Sequence, residues 1–64
     1  MKFALVLTVW MGSESDTQSY WVDHSLSGED CLEYVMNEEL HPRFEDILSV
    51  SDGKHWWLSC APDE

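Results

Sequence analysis

Sixty-four residues make one domain at most (residues 1–64), and an apolar content of 44% with four tryptophans argues against a disordered chain. Thirteen Asp and Glu against three Lys and Arg give a formal net charge of −10. That charge repels nucleic acid and anionic membranes, since binding phosphate needs Lys and Arg. A chain this short buries only about 60% of the surface its unfolded form exposes, so its core is thin and a staple or a second subunit would help it.

The chain opens "MKFALVLTVW". Lys2 followed by an apolar run resembles the start of an export signal, but no small residue stands where a cut after Gly12 or Ser13 would need one. Removing the run would also strip a small domain of much of its core. The preferred reading is a central strand, covered on both faces or on one face plus a partner. The run is too short to span a bilayer. The compartment that follows is the cytoplasm, with export as the alternative if residues 1–13 are a signal.

"GSESDTQS", Gly12 to Ser19, reads as a loop. "YWVDHSL" then alternates: Tyr20, Val22, His24 and Leu26 on one side, Trp21, Asp23 and Ser25 on the other. Ser27 is a candidate N-cap, with Glu29 and Asp30 suited to the positive end of a helix. Leu32, Val35, Met36 and Leu40 recur at helical spacing, bordered by Cys31, and Pro42 predicts a stop near Leu40. Asp52-Gly53 between two β-rich runs predicts a type I′ hairpin. Its register would place Ile47, Trp56, Leu58 and Cys60 on one face and Leu48, Val50, His55 and Trp57 on the other. "PDE" reads as a frayed acidic tail. The order β-β-α-β-β predicts a small antiparallel sheet with one helix packed on one face, an α+β fold.

Cys31 and Cys60 fall where they could meet. A disulfide closing about 30 residues would contribute roughly 3–4 kcal/mol, given an oxidising compartment. The preferred reading is two buried thiols packed as small hydrophobes, consistent with a cytoplasmic chain. His24, His41 and His55 read as surface or edge residues, because no paired spacing of Cys or His suggests a metal. No Gly-rich phosphate loop is present, and a fold this thin has little room for a pocket of the usual ~300–1,000 Å³. An enzyme and a cofactor are therefore not expected.

The aromatic residues are the stronger lead. Trp21 and Trp57 fall on the side opposite the assigned core, where Leu48 and Val50 would complete an apolar patch. Trp is enriched at binding hot spots, and contiguous apolar patches mark contact sites. Glu33, Glu38, Glu45 and Asp46 would form a charged rim suited to a partner with a basic surface. The competing readings are carboxylates that serve solubility alone and a sheet face covered by a second copy of the chain.

The "MKF" start, "SGEDC" (Ser27 to Cys31) at a helix start and the closing "WLSCAP" (Trp57 to Pro62) resemble the pattern of small proteins of tailed bacteriophages. The resemblance implies a non-enzymatic protein that binds and inhibits a host protein, in some cases by imitating the charge of DNA. It carries over no site residues. The alternatives are an exported mini-domain stapled by Cys31 and Cys60, and a self-associating structural protein.

Overall fold

The apolar run forms the central strand β1 (Phe3–Ser13) in a computed structural model that describes residues 1–13 and 15–63. Glu14 of the expected loop and Glu64 of the expected tail lie outside the described residues. β1 is flanked by β2 (Asp16–Leu26) and β3 (Trp56–Pro62), both antiparallel to it. It supplies Ala4, Leu5, Val6, Leu7 and Val9 to the buried apolar set, more than the rest of the chain together. A middle strand with neighbours on both sides has the least water to face, which is why this segment tolerates no charge.

The second segment departs from expectation at both ends. The strands continue through the polar stretch, with Thr8 opposite Ser19, Val9 opposite Gln18 and Trp10 opposite Thr17, so the connection is far shorter than Gly12 to Ser19. Gly12, at φ +113°, supplies the backbone freedom next to the turn. Further along, the register slips: Leu5 faces Asp23 while Val6 faces Trp21. This bulge turns the adjacent Val22 and Asp23 both toward the helices, Val22 into the core and Asp23 onto His41. The strict alternation read from Tyr20 to Leu26 breaks there, and His24 lies beside Trp21 with ring centroids 5.1 Å apart.

Helix α1 (Gly28–Met36) starts where the sequence places it. The Ser27 side chain accepts the Asp30 N–H at 3.1 Å, and Glu29 and Asp30 occupy the first turn. The helix ends at Met36, and a single 3₁₀ turn (Glu38–Leu40) carries the chain to Pro42. α1 packs across β3 and β1 through Cys31, Tyr34 and Val35. Leu32, Met36 and Leu40 of the expected stripe point outward instead. The disulfide between Cys31 and Cys60, with Cα atoms 6.2 Å apart, sets this rotation: once Cys31 faces the sheet, positions 34 and 35 follow and 32 and 36 cannot. The preferred reading of two separate thiols is thereby corrected.

The expected hairpin is also corrected. Residues Phe44–Ser51 form a second helix, α2, and β3 pairs with β1 alone. Phe44, Ile47, Leu48 and Ser51 repeat at helical spacing, and Ile47 and Ser51 are buried. Asp52 (φ 47°) and Gly53 (φ 76°) do adopt the left-handed conformation a type I′ turn requires, but here it terminates a helix. The result is a small α+β domain: a three-stranded antiparallel sheet with two helices on one face. The tail is tied down at Asp63, whose N–H donates to Lys2 O and whose carboxylate accepts the Ser25 N–H at 2.7 Å. Among the described residues, no helix is long and apolar enough to cross a membrane.

Candidate interaction surfaces

The two faces of the sheet have opposite characters. Leu5, Leu7 and Val9 point into the helical side, where Leu58, Val22, Ile47 and Cys31 complete the core. The register places Ala4, Val6, Thr8 and Trp10 of β1 on the other face. Beside them stand Thr17, Ser19 and Trp21 of β2 and Trp57, Ser59 and Ala61 of β3. None of these residues is charged. No helix covers them, and Trp10, Trp21 and Trp57 are 38–50% exposed. Trp21 and Trp57 occupy the uncovered face, as the alternation suggests. Trp10 joins them.

The carboxylates collect on the helical side. Glu29 and Asp30 begin α1, Glu38 and Glu39 begin the 3₁₀ turn, and Glu45 and Asp46 begin α2. Each pair lies at a helix start, where the partial positive charge of free N–H groups favours it. Glu33 and Asp52 add to the same side. Arg43 is already engaged there, donating to Asp46 at 3.1 Å and to Val22 O at 2.9 Å. Leu32, Met36 and Leu40, 51–77% exposed, run along the outside of α1 and its 3₁₀ extension. With Glu29, Glu33 and Asn37 they line a shallow groove of about 400 Å³.

The expected site therefore divides. Trp21, Val50 and Asp46 border one cleft of about 200 Å³ at the β2 edge, while Trp57 and Glu38 border another of about 380 Å³ at the β3 edge. Leu48 and Val50 belong to α2 rather than to a strand beside Trp57, so they do not extend the tryptophan patch. Glu33 lies in the α1 groove, and Leu48 and Glu45 border none of these clefts. By helical spacing Leu32, Met36 and Leu40 read most simply as a core stripe, which hides this groove from the sequence. Their spacing alone could not tell inside from outside.

His41 is the one buried histidine, a correction to its reading as a surface residue. Its Nδ1 accepts the Arg43 N–H at 3.0 Å, which leaves Nε2 to donate to Asp23 at 2.9 Å. The Tyr34 ring packs edge-on against it at 4.7 Å. Burial pushes the Asp23 carboxyl up. The His41 bond, the His24 N–H bond and the two imidazoles outweigh burial and hold it below the ordinary aspartate range. The cluster ties β2 to the segment between the helices. Among the described residues, no group of three or more His, Cys, Asp or Glu is placed to hold a metal ion. No protein-family model, curated protein or solved structure matches the chain.

Proposed function

We infer that the chain is a small acidic binding protein that docks its helical side on a basic surface of a host protein and inhibits it. It would occupy a surface that otherwise holds nucleic acid. The observation that carries this reading is the Leu32–Met36–Leu40 stripe, exposed along a helix and accompanied by Glu29 and Glu33 on a side crowded with carboxylates. Apolar anchors supply affinity, and the surrounding negative charge speeds encounter with a positive partner and rejects others. The division of the surface moves the anchors from Trp21 and Trp57 to the helix. The host cytoplasm is the compartment proposed for this activity. The Cys31–Cys60 bond favours a second reading, an exported disulfide-stapled domain, because such bonds persist in oxidising environments.

A pull-down from bacterial host lysate tests the first reading with two variants. A specific partner that binds the unaltered protein and Trp57→Ala, survives moderate salt and is lost with Met36→Lys supports it. Capture of abundant basic proteins alone, equally by all three, reduces the charge to a solubility device. Thiol trapping of the protein taken directly from cells separates the two compartments.

A further inference from the structure

We propose that the uncovered sheet face is a homodimer interface, joining two copies sheet to sheet with their acidic helices outward. Charge selects the occupant. A chain of net charge −10 repels its own copies over most of its surface, and the middle of this face, from Val6 and Trp21 to Thr8 and Trp57, carries neither carboxylate nor cation; His24, against Trp21 and 3.6 Å from the Asp63 carboxylate, and Lys54, beside Trp10, stand at its ends. A basic partner gains nothing from such a face. A second copy loses nothing there.

Shape agrees with charge. A two-fold interface must be complementary to itself, which requires both projections and sockets on one patch. Trp21, Trp57 and Trp10 supply the projections, staggered across three strands, while Ser59 and Ala61, both partly exposed, are small. Trp21 stands level with Val6 and Ser59, and Trp57 one step further along with Thr8 and Ser19, so each indole has a low neighbour on the next strand.

Size permits it. The molecule's longer dimensions, 34 and 22 Å, cap the face at about 700 Å², which places the pair at the smaller end of specific interfaces, whose typical size is ~800 Å² per partner. The half-exposed indoles alone contribute on the order of 200–300 Å² per copy.

The arrangement predicts an uncommon response to salt. Two packed sheets lie about 10 Å apart, and each acidic layer sits beyond its own sheet. The like charges are then several screening lengths apart at physiological salt, where that length is ~8 Å, but only about one apart at about 0.01 M, where it is ~30 Å. Association through this face therefore tightens as salt rises. Docking on a basic partner does the opposite.

Sedimentation equilibrium on the intact, oxidised protein, over a wide range of concentration and from about 0.01 to about 0.3 M NaCl, tests the proposal. The expected result is a concentration-dependent doubling of the 7.5 kDa mass that strengthens with salt. Trp21→Ser and Trp57→Ser should be monomeric under the same conditions, with unchanged far-ultraviolet circular dichroism. Indole quenching by acrylamide, which needs no variant, should fall as the unaltered protein is concentrated. A monomer at every concentration, a dimer that loosens with salt, or quenching that does not change with concentration overturns the proposal and leaves the face to another occupant.

Discussion

Reducing the Cys31–Cys60 bond should lower the melting temperature by about 15–30 °C, and the size of that effect follows from the position of the bond. The two cysteines are 29 residues apart. Closing a loop of that length removes about 3.6 kcal/mol of entropy from the unfolded chain in the chain-entropy model. A domain of this length has a total stability of roughly 3–10 kcal/mol, so the bond supplies a third or more of it. Each kcal/mol is worth about 4–8 °C in a domain of this size. The native contacts change little, because Cys31 stays buried as a small apolar group after reduction. Cys60 is exposed and gives a reductant its access. Thermal melts by circular dichroism, with and without a phosphine reductant, measure the shift, and thiol titration confirms that both sulfurs are free. Two titrated thiols with an unchanged melting temperature would refute the reasoning.

Ser27→Ala should cost about 1 kcal/mol in urea unfolding, because it removes the cap that accepts the Asp30 N–H. Gly53→Ala should cost a similar ~1 kcal/mol, read the same way. A Cβ there meets nothing within 4 Å, so the penalty is purely that of φ +76°. Ile47→Ala, in the core from a helix where a strand was expected, should cost about 2–5 kcal/mol. On acidification, relief of self-repulsion should first raise the melting temperature. Asp23, its folded pKa held low, contributes stability that is complete above the ordinary aspartate range and is lost as pH falls below about 4. Asp23→Asn should be less stable near neutrality and show a shallower acid limb in the same melts. An acid limb as steep as that of the unaltered protein would dismiss the His41 bond as a contributor.

Periodicity and capping carried much of the fold. The central strand was legible because eleven consecutive residues, Phe3 to Ser13, lack charge, and the start of α1 because Ser27, Glu29 and Asp30 each suit a helix end. α2 was not, because Asp52-Gly53 is ambiguous in itself: two residues able to adopt positive φ serve a hairpin and a helix terminus equally. The face of α1 was misread for a different reason. Cys31, Tyr34 and Val35 form as regular a stripe as Leu32, Val35, Met36 and Leu40, and by spacing the longer apolar one reads as core. Only the tertiary link to Cys60 decides between them. The bulge at Val22 and Asp23 is not visible in a pattern of period two, so the burial of His41 against Asp23 could not be foreseen.

The same facts explain how so acidic a chain stays folded. Six of its carboxylates sit in pairs at the starts of three helical segments, where each offsets unpaired N–H groups. Those segments all lie on one side of a sheet whose middle strand accepts no charge on either face. Placing acids at helix starts thus keeps these six from the opposite face, and Trp10, Trp21 and Trp57 are left on a largely uncharged surface. One local rule, repeated three times, separates the molecule into a charged side and an apolar side. A salt titration then tests each side separately: docking of the first on a basic partner should weaken with ionic strength, and self-association through the second should strengthen.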